Sequence, residues 1–490
     1  MQQLTGLDAS FLYMETGAQF GHVGSLTLYD QREAREGSLY RALRTTLPER
    51  LHLLPPFRRR IVEVPFGLDH PYWIEDPNFD LDFHIRHIAV PPPGTNEQLA
   101  ELVAHLHALP LDRSRPLWQL WVIEGLESGQ VALYVKVHHC TIDGVSGVEM
   151  TSTLLDRTRE GGPVAPVRDR WRPDPIPRDV EMFARGLFGL ALQPGKAVRF
   201  GIRTARDLPG IAPMLAPFAD ALGLGRLPWP FGPRQSDQVD APKLPQTAAP
   251  HTSFNRSITP HRRFSFITLS LEDARKVRKA FGTTLNDVVM AMCAGALRRY
   301  LEERGELPDE TLIASVPVSV RSESEKATYS NRVSAVMAEL ATDEPDPVKR
   351  LKRIHESMRS AKQMQEAVPA TLLQDFTQFA TPAVFAQAAR IAARLRIADR
   401  MRPPFNLIIS NVPGPREPLY CGGAQMRTYY PVSAVAEGQG LNITVQSYMD
   451  QLDFGVITCR ELVSDPWRIS RYLGEALEEL VKLAAVVARQ

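Results

Sequence analysis

The chain has 490 residues, 44% of them hydrophobic and 23% charged, with a formal net charge of +1. That mixture excludes a largely disordered chain, and the near-neutral balance argues against a nucleic-acid binder that relies on a broad basic field. The length exceeds what one hydrophobic core organises, so two domains of roughly 150–250 residues are expected.

The amino terminus, MQQLTGLDASFLYMETG, carries Asp8 and Glu15 where an export signal needs a basic start and an apolar run, and no later stretch reaches about 18 uninterrupted apolar residues. The four cysteines (Cys140, Cys293, Cys421, Cys459) lack CxxC spacing, which fits a reducing cytoplasm and gives no support to a disulfide framework. HVGSLTLYD (22–30) and VALYVKVHH (131–139) alternate with period two and predict strands, whereas TNEQLAELVAHLHALPL (95–111) has apolar residues at helical spacing. A first domain is expected over 1–160. Proline and arginine dominate 161–250, which reads as a crossover linker with candidate amphipathic helices. A second domain over 251–490 opens with a strand followed by a helix in RRFSFITLSLEDARKVRKAFG. TTLNDVVMAMCAGALRRYLEERG (283–305) then predicts a helix, with Thr284 as N-cap and Asp287 near the positive end of its dipole. Further strand patterns at 311–321, 405–415 and 441–459 precede a terminal helix at 467–488. Both halves mix strands and helices, so the fold class is α/β.

The chemistry concentrates at HHCTIDG (138–144). A histidine takes and returns a proton near neutral pH when its ring is held in one tautomer. Neighbouring strand residues point to opposite faces, so one of His138 and His139 faces a cavity and the other is structural. Asp143 either orients an imidazole or anchors the turn through a buried salt bridge, and Gly144 and Gly147 let the backbone turn tightly. Adjacent histidines rarely reach one ion and no further ligand cluster is evident, which argues against a metal site. Cys140 at a strand end reads as a small buried apolar residue in preference to a nucleophile. DFG (453–455) lacks the other kinase elements, which excludes that activity.

HHCTIDG resembles the HHxxxDG signature of acyltransferases with the chloramphenicol acetyltransferase-like fold. The chain is similar over nearly its whole length to the bacterial wax ester synthase/diacylglycerol acyltransferase (WS/DGAT) family, through LDASFLYMET (7–16), PLW (116–118), LNDVVMAMCAGALRRYL (285–301), VPVSVR (316–321), SNVPGP (410–415) and SYMDQLDFG (447–455). The resemblance implies two related α/β domains forming a pseudo-dimer, with a substrate tunnel between them. It implies His139 as general base, His138 as support and Asp143 as structural anchor, paired with Arg321. It also implies acyl-CoA as a substrate, diacylglycerol or a long-chain alcohol as acceptor, and no cofactor. Asn286 is either an oxyanion donor or a helix cap, and Asp287 supports the site. Asn411, with Pro413 and Gly414, is expected to tie down a turn. Pro116, Leu117 and Trp118 are either packing or substrate wall. One departure is visible: Ser330 and Asn331 stand where the family often has Gly-Asn.

In the linker, Arg185, Lys196, Arg199, Arg203 and Arg206 interleave with apolar residues. Such a stripe suits an anionic membrane or lipid-droplet surface, or packing against the protein. Two other readings stay open: a same-fold acyltransferase using another hydroxyl or an amine, and a noncatalytic lipid-binding protein.

Overall fold

The computed structural model describes residues 1–142, 144–164, 172–189, 248–319, 333–366, 386–387, 390–391 and 393–489. A small antiparallel sheet is ordered β1 (Gln2–Gln3), β4 (Tyr72–Glu75), β3 (Arg59–Val62). A six-stranded sheet follows the order β12 (Tyr420–Cys421), β13 (Ala424–Val432), β2 (His22–Asp30), β7 (Gln130–His138), β6 (Trp118–Glu124), β5 (Ile85–Ala89). A second six-stranded sheet is ordered β10 (Val333–Glu339), β9 (Ile313–Ser319), β11 (Leu407–Val412), β14 (Leu441–Tyr448), β15 (Gln451–Cys459), β8 (Arg262–Ser270). The helices are α1 (Gly6–Tyr13), α2 (Leu39–Arg50), α3 (Leu81–His84), α4 (Asn96–His107), α5 (Gly144–Leu154), α6 (Leu271–Phe281), α7 (Leu285–Glu302), α8 (Pro347–Glu366) and α9 (Pro466–Val487).

Alternation along β7 divides its apolar residues between two cores. Val131, Leu133 and Val137 pack with Leu39, Leu43 and Leu47 of α2, while Ala132 and Tyr134 face a core shared with Leu99 and Val103 of α4. That second core also contains Phe264, Phe266 and Ile457, so the two halves meet through buried apolar surface. In the second half, α7 and α9 cover the sheet at Ile409, Ile443 and Phe454. The predicted N-cap at Thr284 holds: Thr284 Oγ1 accepts from the Asp287 N–H at 3.2 Å and Asp287 Oδ2 accepts from the Thr284 N–H at 2.8 Å, a capping box that Thr95 also forms at the start of α4.

One division departs from the sequence boundary at 251. Strand β13 lies late in the chain yet pairs antiparallel with β2 in the first sheet, from Met426↔Tyr29 to Val432↔Gly24. Its two faces suit the place, since Met426 and Tyr429 enter one core and Tyr430 and Val432 the other. The register shifts between Met426 and Thr428, and the Tyr429 N–H beyond that irregularity donates to Asp453 Oδ2 at 2.7 Å. Asp453 Oδ1 accepts from Thr268 Oγ1 at 2.5 Å. The DFG segment thus welds the two sheets. A Cβ on Gly455 would sit 1.8 Å from the Pro431 carbonyl oxygen, so that crossing requires glycine.

Burial pushes the Asp453 carboxyl up to about 7, against the opposing hydrogen bonds from Thr268 and the Tyr429 N–H. Its protonated form therefore adds stability that is complete below pH ~4 and is lost as pH rises through about 7. Asp453→Asn should remove this dependence while holding both partners, its carbonyl accepting from the Tyr429 N–H and its amide donating to Thr268 Oγ1. Urea unfolding at pH 5 and pH 8 should show the parent losing about 2 kcal/mol more than the variant over that interval.

Candidate active site

The HH pair stands where β7 ends. His138 is opposite His22 in the β2–β7 ladder, and its N–H donates to the Leu117 carbonyl at 2.9 Å. The next N–H, of His139, donates to the Gly21 carbonyl at 2.8 Å, and the chain then turns as the Thr141 N–H reaches the His138 carbonyl at 2.9 Å. The two imidazoles differ in burial: His138, the last residue of β7, is 1% exposed, whereas His139, in the turn, is partly exposed.

Each ring is held by the first sixteen residues. The Cys140 N–H donates to His138 Nδ1 at 3.1 Å, which puts the proton of a neutral ring on Nε2, facing Glu15 Oε1 at 3.2 Å. Glu15 Oε1 also accepts from the Gly21 N–H at 2.8 Å, and Oε2 accepts from Arg113 at 2.7 Å. Burial opposes ionisation of Glu15, but His138, the Gly21 N–H and Arg113 outweigh it and hold the carboxyl at about 2. The charge is therefore permanent at working pH. His139 stacks on Phe11 of α1, with ring centroids 4.2 Å apart and planes 13° from parallel. Thr5 caps α1 through the Asp8 N–H at 3.1 Å, so LDASFLYMET supplies one clamp for each histidine.

Sequence reasoning gave Phe11 and Glu15 no part in the site, and it missed Gly21 and Arg113. A Cβ on Gly21 would come within 2.7 Å of His138 Nε2 and 2.8 Å of the Phe11 carbonyl oxygen. Gly21→Ala should therefore displace the ring or the helix end, costing about 1–3 kcal/mol and lowering turnover. Thermal unfolding alongside thiol-release assays would check this, and parental values in both would contradict the close approach.

The remaining expected residues separate into three groups. Gly144 begins α5, whereas Asp143 and Arg321 lie outside the described residues, as do Ser330 and Asn331. Asp287 caps its own helix and contacts His355 Nδ1 through Oδ2 at 2.7 Å, a structural role. The Asn411 amide donates to Asn286 Oδ1 at 3.2 Å, joining β11 to the start of α7. PLW is not a wall. Leu117 and Trp118 are fully buried, Trp118 Nε1 donates to the Phe57 carbonyl at 3.0 Å, and its ring stacks on Phe57 and His84 at 4.2 and 4.3 Å. Pro116 is buried beside them, and Trp118 pairs with Val137, which sets the strand register beneath His138.

Cys140 is buried, and burial raises its thiol well above the ordinary range, which disfavours the thiolate that a nucleophile needs. Among the described residues, no group of three or more His, Cys, Asp or Glu is placed to hold a metal ion. An open cleft of about 690 Å³ lies where the halves meet, lined by Glu15 and Ala18 from one and Ser257, Pro260, Arg396 and Glu437 from the other.

The wax ester synthase/diacylglycerol acyltransferase catalytic domain matches residues 4–289, and the WS/DGAT C-terminal domain matches 329–481. The chain belongs to the WS/DGAT family. It is thus an acyltransferase, 31% identical to the solved wax ester synthase/diacylglycerol acyltransferase from Marinobacter aquaeolei VT8, with a TM-score of 0.68 and 99% and 100% of the two chains covered. The probable diacylglycerol O-acyltransferase tgs2 of Mycobacterium tuberculosis is 35% identical over 485 residues, covering 98% of each chain. The first condensation domain of the CDA synthetase shares the fold at 15% identity, with a TM-score of 0.58 and 98% and 97% coverage. This acyltransferase therefore has two chloramphenicol acetyltransferase-like subdomains, as expected, with β13 crossing from one half of the chain to the sheet of the other.

Proposed function

We propose that the protein transfers a fatty acyl group from acyl-CoA to diacylglycerol or a long-chain alcohol, with His139 as general base. The observation that carries this reading is the division of labour in the HH pair: His138 is buried and bound to Glu15, while His139 is partly exposed and braced on Phe11. An alcohol is too weakly acidic to attack a thioester quickly. His139 takes its proton as the oxygen bonds to the carbonyl carbon, and the C–S bond then breaks with the proton passing to the CoA sulfur. No acyl-enzyme forms. Asn286, oriented by Asn411, is the candidate oxyanion donor. Asp143 anchors the turn, with Arg321 as its partner. The cleft between the halves offers a route for the substrates.

Because both products are lipids, the reading includes a lipid surface. No single helix among the described residues is long and apolar enough to cross a membrane. The helical stretch 179–189 leaves Val180 and Phe188 exposed at 78% and 69%, and Phe66, which meets Phe183 edge-on at 6.0 Å, is exposed at 82%. That patch supports peripheral attachment to a membrane or lipid droplet. Lys196, Arg199, Arg203 and Arg206 lie outside the described residues.

The test supplies radiolabelled palmitoyl-CoA with diacylglycerol and hexadecanol in competition and separates the products by chromatography. Labelled triacylglycerol or wax ester with matching thiol release is expected. Absence of thiol release with every acceptor would favour a noncatalytic lipid binder.

A further inference from the structure

The loop that clamps the two histidines is itself held from the other half of the molecule. Loop 15–21 is braced internally by Thr16, whose Oγ1 accepts from the Ala18 and Gln19 N–H groups at 3.2 and 3.0 Å. Arg262, the first residue of β8, reaches across with Nη2 to donate to the Ala18 carbonyl, while Nη1 donates to the carbonyls of Thr259 and His261. A second tie runs from the Glu437 N–H to Gln19 Oε1 at 2.8 Å. Arg262 is only 7% exposed, and its guanidinium lies 5.8 Å from the Phe20 ring centroid.

We propose that Arg262 is a positioning residue for acyl transfer, through which the C-terminal half sets the geometry of His138 and His139. The fork fixes Ala18, the braced loop fixes Glu15 and Gly21, and these hold the Nε2 of one histidine and the backbone N–H of the other. A guanidinium serves this purpose because its planar donors reach carbonyls on two sides at once, which an ammonium does with fewer fixed directions. Burial lowers its pKa only to about 10, so it stays cationic at neutral pH. Glu15 and Ala18 also line the cleft between the halves, so the strapped loop forms part of its wall.

The inference rests on His139 as base, and the experiment separates the two. In the full-length chain, Arg262→Met, Arg262→Lys, Glu15→Gln and the Arg262→Met/Glu15→Gln pair are compared with palmitoyl-CoA and hexadecanol. Arg262→Met should lower kcat by about tenfold or more with KM changed less than about threefold, and Arg262→Lys should recover part of the loss. Because the route to His138 runs through Glu15, Arg262→Met should lower kcat by a smaller factor in the Glu15→Gln background than in the parent. Additive losses, or a parental kcat in Arg262→Met, overturn the proposal. Should Arg262→Met fail to fold, Gln19→Leu cuts the other tie and enters the same cycle with the same criteria. Independently of turnover, the imidazole ¹⁵N resonances of His138, assigned with His138→Gln, should move in Arg262→Met. An inactive parent would remove the base assignment, and unmoved His138 resonances would overturn the strap.

Discussion

Replacing His139 with alanine should reduce turnover by about 10²- to 10⁴-fold, the usual cost of losing a general base, while leaving the unfolding midpoint nearly unchanged. The ring is partly exposed, and removing it opens its stack on Phe11 without touching the backbone bonds to Gly21 and within the turn. Cys140→Ala is the matched control. Its thiol is buried among Leu4, Ala9, Leu12 and Leu117, so alanine there should cost some stability and leave substantial activity. Thiol release measured for both variants, with circular dichroism to confirm folding, decides between base and nucleophile. A nearly parental rate in folded His139→Ala would overturn the mechanism.

A comparable loss, in stability this time, is expected at Asp156. The helix that leaves the HH turn, α5, ends where Arg50 donates to the Thr153 and Leu154 carbonyls at 3.2 and 2.7 Å and pairs with the Asp156 carboxylate. Both charged residues are buried. Asp156→Ala strands a guanidinium and Arg50→Ala strands a carboxylate, so each should cost about 3–5 kcal/mol. The double variant should lose less than the sum, because neither charge is then left alone. Urea unfolding of the parent and the three variants checks this, and simple additivity would contradict a buried pair. Asp156 also exchanges backbone hydrogen bonds at 2.8 Å with Tyr420, so the same substitution should loosen the link between α5 and β12.

Local patterns were legible in the sequence. Thr284 and Asp287 are three residues apart, and their capping box depends on nothing distant. The alternation at 22–30 and 131–139 marked the two strands that carry the site, and HHCTIDG marked their end. The pairing of β13 with β2 was not legible, because a register between residues so far apart in the chain leaves no short-range signal. The burial of Trp118 depends on Phe57 and His84, which arrive from separate turns, so its choice between packing and wall could not be made from PLW alone. Glu15 illustrates the same limit: an acidic residue near the amino terminus argued against an export signal, and its hold on His138 appears only when the fold brings them to 3.2 Å.

The late arrival of β13 has a consequence for biosynthesis. As the chain leaves the ribosome, β2 and β7 can pair at once, but the outer edge of β2 stays open until residue 432 has emerged. An open edge is a template for pairing with other chains, so a nascent or truncated product ending before Tyr420 should be prone to aggregate. The two halves are therefore not interchangeable modules. A split or chimeric protein that keeps the first sheet intact must carry Ala424–Val432 along with the first half, even though that strand is encoded within the second.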